Sequence, residues 1–504
     1  MALRNDSPNG AVSTTRQRYK YSPKGGLQEA VRRDKQELSS PKNDAQNALH
    51  TAQQLAESGD IDAAWALCNR ALTHGSHDDV KWLVIANQVK WKAKHNADAL
   101  MYALRASELA PDNPYVWLNL GMVQDYIYLF DEAEASFRKG MNVAKTDEQK
   151  GGIYLNWACM LVNSGQWERA EKIARKCLQY RPDKPKAKAN LGMALLALKR
   201  WEEGWPLYDA IIGFDQSRRR MQYMNEGEWN GTKGQNVIIY EEQGIGDAIS
   251  FASMVPDVLK DVNGIIECDY KLENLFKRSF PSATVYGTRY DNATDWQGNH
   301  KIDASISMGA LGKHYRKQDK DFTGEPYLIP DPERVEMWKA LFAKFQKPVI
   351  GIAWSGGVDW TGSRNREWGL EELMPVFKSV DAVWVSLQYK DASKEIAKFR
   401  EKHPEVDLRQ YAFGTLTKDY DDTAAMVAAM DMVFSMQTAV IHLSGAIGKE
   451  CWCFVNKHSQ WRYGLPHETS MPWYKSVRLW RWNNGWPIEA SAKELGAKYA
   501  RPAP

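Results

Sequence analysis

From about residue 45 to 215 the apolar and polar positions follow a helical period, and small residues recur on a longer one. Ala52, Ala86, Gly121, Ala158 and Gly192 are separated by 34, 35, 37 and 34 positions. A second series, Ala64, Ala99, Ala133, Ala170 and Gly204, follows twelve positions behind the first, or thirteen in the second unit. Two series nearly in step mean one repeating unit, a helical hairpin whose helices come closest where side chains are smallest. Trp82, Trp117 and Leu155 supply bulk nearby. Pro-Asp-Asn-Pro at 111–114 and Pro-Asp-Lys-Pro at 182–185 end one unit and open the next, because proline breaks a helix interior but fits its first turn. The interval of 37 predicts a longer turn near Ala144 to Gly152.

Past a linker running from Arg218-Arg219-Arg220-Met221 to Trp229-Asn230-Gly231, the period switches to alternating strands and helices. Strands are predicted at 236–241, 264–268, 283–286 and 303–307, with helices after the first two. Glu325-Pro326-Tyr327-Leu328-Ile329-Pro330-Asp331-Pro332 interrupts the pattern with three prolines and reads as a hinge. Beyond it come helix 332–345, strand 348–353, helix 370–378, strand 382–387, helices 392–402 and 421–430, strand 432–435, helix 438–447 and strand 450–455. A last helix at about 488–499 is expected to cross back to the first α/β unit and brace the cleft. The predicted class is multidomain, α followed by α/β. A basic disordered tail spans 1–44, with a short helix around Gln28 to Leu38. A repeat solenoid spans 45–215, and two doubly wound units span 216–330 and 331–504.

Composition narrows the partners. With 66 basic and 63 acidic residues the formal charge of +3 is too balanced for nucleic acid binding by bulk electrostatics. The six cysteines, Cys68, Cys159, Cys177, Cys268, Cys451 and Cys453, have neither zinc-site spacing nor the density of a secreted disulfide scaffold, so a reducing cytoplasm is expected. Cys451 and Cys453 share one face of a strand and read as buried thiols rather than metal ligands. The longest apolar runs are too short to span a membrane, and a soluble protein is expected. Oligomeric state is left open.

The chemistry concentrates after strands. Gln243-Gly244-Ile245-Gly246-Asp247 follows the first strand and opens a helix. Gly244 and Gly246 let a ligand approach the main chain, and the helix start presents unpaired N–H groups. The alternative is a plain helix cap. Ser355-Gly356-Gly357 follows strand 348–353, and Arg364 and Arg366 are candidates to neutralise a diphosphate in place of a cation. Arg366 has the competing reading of a surface pair with Glu367 or Glu371. Gln388 ends strand 382–387, where a base or sugar is read. Gln437-Thr438-Ala439 opens another helix whose N–H groups and Thr438 hydroxyl suit phosphate oxygens. His442, one turn on, is either a donor to phosphate or ribose or a satisfied core histidine. The run Asp419, Asp421, Asp422 reads as a helix cap (Asp421-Asp422-Thr423) before a metal site. The aromatic stretch Trp461, Trp473, Tyr474, Trp480, Trp482 and Trp486 is either an acceptor platform or packing.

Two resemblances follow from these residues. The repeat resembles the tetratricopeptide repeat, whose period is about 34 residues, and five units exceed the roughly three that a stable stack needs. Such a groove takes a peptide or protein, or merely orients the domain behind it. In order, Gln243-Gly244-Ile245-Gly246-Asp247, Trp354-Ser355-Gly356-Gly357 before Gly362-Ser363-Arg364-Asn365-Arg366-Glu367-Trp368, Ser386-Leu387-Gln388 and Gln437-Thr438-Ala439-Val440-Ile441-His442-Leu443-Ser444-Gly445-Ala446-Ile447-Gly448 resemble the heptosyltransferase-related glycosyltransferases of the GT-B fold that carry tetratricopeptide repeats in front. The domain order is more loosely similar to the O-linked N-acetylglucosamine transferases.

The resemblance implies two facing Rossmann-like domains and a nucleotide-sugar co-substrate held by the second. It further implies transfer with inversion to an acceptor hydroxyl, without metal or other cofactor. It places an aspartate opposite the donor, which makes Asp247 the candidate base, with loop support as the alternative. It also places an aspartate before the threonine, where this chain has Gln437; the amide keeps hydrogen bonding and loses the charge, which implies either an altered donor choice or lost activity. The rival to an enzyme is an adaptor that keeps the fold and works through its solenoid.

Overall fold

The computed structural model describes residues 41–75, 77–214, 218–224, 227–290, 294–357 and 366–500. The tail and its expected helix at Gln28 to Leu38 lie outside these, as does Arg364. The first helix starts at Pro41, four residues inside the expected tail, with proline at a position whose N–H no helix would use. The chain divides into two compact units at Met160/Leu161.

The N-terminal unit is a run of helical hairpins, beginning with Pro41–Ser58 and Ile61–Thr73, Val80–Lys92 and Asn96–Leu109, and Pro114–Tyr126 and Phe130–Val143. The small residues sit where the period placed them. Ala52, Ala64, Ala86, Ala99 and Ala133 are fully buried, and a Cβ on Gly121 would lie 2.6 Å from the Phe137 ring. The interval of 37 is absorbed differently from expectation. Helix Asp147–Asn163 has 17 residues against 13 for Pro114–Tyr126, and the turn before it is short. No proline opens this helix, as Pro114 opens the earlier one. Thr146 and Gln149 cap it reciprocally instead, Gln149 N donating to Thr146 Oγ1 (3.2 Å) and Thr146 N to Gln149 Oε1 (3.1 Å).

The second unit begins inside the repeat region rather than at the expected 215. Helices Trp167–Tyr180, Pro185–Ala197 and Trp201–Asp209 fold with the α/β part, and Trp205 gives the reason. Its ring fills the space over Gly312, where a Cβ would lie 2.3 Å away. Its Nε1 donates to the Arg316 carbonyl at 2.7 Å, and it meets Trp461 and Trp473 edge-on at 5.7 and 6.5 Å. A fully buried indole with its N–H satisfied ties the last hairpin to both sheets.

The first sheet is parallel with order β3-β2-β1-β4, from Asn236–Tyr240 (β1), Asn263–Glu267 (β2), Thr284–Tyr286 (β3) and Ala304–Ser307 (β4). The second contains Val349–Ala353 (β5), Val383–Ser386 (β6), Leu408–Arg409 (β7), Met432–Met436 (β8), Cys451–Val455 (β9), Ser470–Met471 (β10) and Tyr474–Arg481 (β11), in the order β10-β11-β9-β8-β5-β6-β7. Among the described strands of this sheet only the β10/β11 pairing is antiparallel. The expected strands are reproduced within one residue at either end. Three short or late strands, β7, β10 and β11, were not anticipated. Strand β11 alternates Val477 and Leu479 inward with Arg478 outward, a period of two masked by the surrounding tryptophans.

The last helix, Ile488–Tyr499, does not cross to the first sheet. Ile488, Ala492 and Leu495 form one face buried in the second lobe's core with Trp368 and Phe377. The proline-rich connection is held by Tyr327 N and Leu328 N, both donating to the Ala446 carbonyl. Arg278 of the first lobe pairs with Asp331 (3.2 Å) and the buried Asp421 (2.6 Å) of the second. Among the described residues no helix is long and apolar enough to cross a membrane.

Candidate functional site

In both sheets the chain reverses its winding beside the first strand of the lobe, between β1 and β4 and between β5 and β8. Open α/β sheets bind ligands in the crevice at the carboxyl ends of such strands. The predicted residues gather there: Gly244, Gly246 and Asp247 follow β1, Ser355 and Gly356 follow β5, Gln388 follows β6, and Gln437, Thr438, Ala439 and His442 follow β8.

On the first lobe, Gly244 is the N-cap of helix Ile245–Ala252 with φ −81°, a conformation open to any residue. The space beside it is open, the nearest atom to a Cβ being Asp247 Oδ2 at 3.7 Å. Gly246 differs. Its Cβ would lie 3.3 Å from both Ala439 Cα and His442 Cδ2, so the group approaching its main chain is the first turn of the second lobe's helix Ala439–Ala446, not an open ligand space. Asp247 points to Arg462, whose Nη2 donates to its Oδ1. Arg462 is almost fully buried and lies against the faces of Phe251 and Trp461 at 5.1 and 5.0 Å. Its Nη1 donates to Gln460 Oε1 at 3.3 Å, and its Nε is buried without a partner among the described residues.

On the second lobe, the segment after Trp354 folds back on itself. Trp368 N donates to the Trp354 carbonyl (2.9 Å) and Gly356 N to the Arg366 carbonyl (3.1 Å), while Ser355 bridges Glu367. Arg366 Nη1 reaches the Gln437 main-chain carbonyl at 3.0 Å. Glu371, the partner considered from sequence, is taken by Lys402 and His403. Gly356 is required by proximity, since a Cβ would lie 2.4 Å from Thr438 Cγ2. Thr438 caps its helix, accepting from Val440 N at 3.3 Å. Gln437 is buried and its Oε1 accepts from Asn456 N at 3.1 Å, so its amide links the ends of β8 and β9. Gln388 donates from Nε2 to Ser355 Oγ, and its buried Oε1 has no partner among the described residues. Tyr389 beside it is exposed, its hydroxyl donating to the Gly357 carbonyl at 3.3 Å.

His442 occupies the core. It is 6% exposed, with Nδ1 3.3 Å from the Tyr474 hydroxyl and Nε2 3.3 Å from that of Tyr463. Burial pushes its pKa down to about 3, with the nearby Arg462 acting in the same direction, so the ring is neutral. With both nitrogens partnered by tyrosines, the satisfied-core reading describes its surroundings. The acidic run is committed to the fold. Asp419, rather than Asp421 and Asp422, caps helix Tyr420–Ala429 by accepting from Asp421 N. Arg334 holds Asp419 and Asp422. Within the aromatic stretch Trp461, Trp473 and Tyr474 are buried and Trp482 is partly exposed, so packing accounts for the first three.

Sequence reading missed Arg462 and Tyr463, and saw Tyr474 only as part of the aromatic stretch. A cation between two aromatics in Gln460-Trp461-Arg462-Tyr463-Gly464 is the signal that marks Arg462, since a buried arginine needs a buried counter-ion.

No family model matches the chain. It is 30% identical over 384 residues to Protein FlbA of Caulobacter vibrioides, the match covering 72% of this chain and 62% of that protein, so the chain spans less than two thirds of its curated relative. Among solved structures, MamA matches at 15% identity and a TM-score of 0.28, over 32% of this chain and 91% of that one. TTC0263, a thermophilic TPR protein of Thermus thermophilus, matches at 20% and 0.29, over 33% and 90%. YrrB, described as a TPR protein with an unusual peptide-binding site, matches at 18% and 0.27, over 37% and 91%.

Proposed function

We propose that the chain is an inverting glycosyltransferase of the GT-B kind that moves a sugar from a nucleotide-sugar donor to an acceptor hydroxyl. In this reading the solenoid receives the acceptor or a partner protein. The observation that supports it is the meeting of two switch-point crevices. The loop Gly244–Asp247 of one lobe lies against the start of helix Ala439–Ala446 of the other, with Ser355, Gly356 and Gln388 ranged on the donor side. The second lobe offers a diphosphate hydrogen-bonding groups and a helix N-terminus, with the Arg366 guanidinium against the Gln437 carbonyl. Asp247 is the group on the opposite side that takes the acceptor proton.

The adaptor reading is favoured by a separate observation. Gly246 and Ala439 are in direct contact, Thr438 already caps its helix and His442 has both nitrogens occupied, which describes a closed joint. Release of nucleoside phosphate from a panel of uridine, guanosine, adenosine and cytidine sugars separates the two. Transferase function gives turnover of at least one donor that falls about 100-fold or more, the usual worth of a positioned base, in Asp247→Asn. No turnover of any donor by the folded protein, with or without added cell-extract acceptors, leaves the adaptor.

A further inference from the structure

Resting on that reading, we infer that Arg462 is a catalytic residue: the donor diphosphate takes its guanidinium from Asp247, which frees the carboxylate to act as base at the moment the leaving group needs a cation. Three observations lead there. Arg462 is the ionic partner of Asp247. Its Nε is buried and, among the described residues, unpartnered, so its donor set is incomplete without a further acceptor. And Gly246, next to Asp247, abuts Ala439, so the pair lies beside the helix start proposed for the phosphates. An arginine stays charged whatever its surroundings, so the only question is which anion it faces.

The exchange balances. In the resting protein the Asp247 carboxylate and the Arg462 guanidinium neutralise each other. When a nucleotide sugar binds, its phosphate oxygens compete for the guanidinium, and Asp247 loses its counter-ion and becomes the stronger base. The acceptor oxygen then bonds to the anomeric carbon as the bond from that carbon to the phosphate oxygen breaks with its electron pair. The acceptor proton passes to Asp247. The nucleoside diphosphate leaves with one more negative charge, and Arg462, no longer needed by a neutral Asp247, faces that charge.

The test is equilibrium binding of UDP, GDP, ADP and CDP to the full chain, with transfer kinetics on the donor that turns over. Because the diphosphate must displace Asp247, Asp247→Asn is expected to bind the cognate diphosphate about tenfold more tightly than wild type, the worth of one charge-assisted hydrogen bond, while transfer is lost. The double variant Asp247→Asn/Arg462→Gln, which removes both charges together and so leaves none buried alone, should lose that gain. Arg462→Lys should raise the donor KM and lower kcat while recovering part of the activity that Arg462→Gln lacks. Wild type that binds a diphosphate while Asp247→Asn binds it no better overturns this inference alone. Folded wild type that binds none of the four overturns the donor reading and this inference with it.

Discussion

The carboxyl edges of the two sheets are built from opposite materials. Behind β1 the first lobe buries charge in pairs: Glu241 with Arg289, and Glu242 with Arg218, which also holds Asp209 at 2.9 Å. Behind β5, β6 and β8 the second lobe buries Ser386, Gln388, Ser435 and Gln437, all neutral. Buried ion pairs hold a loop in one arrangement because separating either partner leaves a desolvated charge. Neutral donors and acceptors at a helix start, with the guanidinium groups of Arg366 and Arg462 on the same lobe, suit an incoming anion. The contrast sets a first edge held by paired buried charges against a second edge whose buried polar groups on β6 and β8 are neutral. The Asp247–Arg462 pair, with one partner from each lobe, is where the two designs touch.

The strongest break of that comparison is to remove a charge from the first edge. Arg218→Met leaves Glu242 without its cation in a site that is 1% exposed at Arg218, while Asp209 keeps Lys313 at 3.2 Å. It should cost about 3–5 kcal/mol by thermal or denaturant unfolding. A loss below about 1 kcal/mol, the worth of an exposed pair, would show that the pair is not a rigid element.

Next in size, the two edges should respond oppositely to pH. Burial raises Glu241 to about 7 from an ordinary 4.5, although Arg289 opposes the shift. The folded protein therefore holds this proton more tightly than the unfolded chain. Stability from this group is greatest below 4.5 and declines as pH rises toward 7. His442 is held down to about 3 from 6.5 by burial, so the unfolded chain takes the proton first. Its contribution is full above 6.5 and declines as pH falls toward 3. Each slope is at most about 1.4 kcal/mol per pH unit. Denaturant midpoints measured across this range should lose the decline toward neutral pH in Glu241→Gln and the decline toward acid in His442→Gln. Parallel profiles for wild type and variants would remove the assignment.

The smallest effects separate glycines that look alike in sequence. Gly356→Ala pushes a methyl into Thr438 and should cost about 1–3 kcal/mol. Gly244→Ala meets open space with an ordinary φ and should cost no more than about 1 kcal/mol, the difference between the two as helix caps. Equal losses in thermal unfolding would mean that the crevice beside Gly244 is not open.

How much could be read beforehand follows from the range of each interaction. The small-residue series and the strand runs are properties of a single element or hairpin, and they stand where the pattern placed them. The longer helix Asp147–Asn163 was also within reach, because Thr146 and Gln149 spell a capping box three residues apart. Strand β11 was legible in its alternation and lost among tryptophans that look like a ligand platform. The crossing of the last helix was misread because its apolar face names no partner by itself.

What the chain determined alone is therefore its periodicities: the helical repeat, the two alternating α/β series and the proline-rich connection between them, each fixed by backbone sterics and burial within a short window. Only tertiary structure decided that Asp247 meets Arg462, 215 positions away, that Tyr463 and Tyr474 enclose His442, and that Trp205 draws the last hairpin into the α/β unit. The first contact joins the two lobes, the second forms within the second lobe, and the third joins the last hairpin to both. A side chain's type states what partner it needs, and packing alone states which partner it gets.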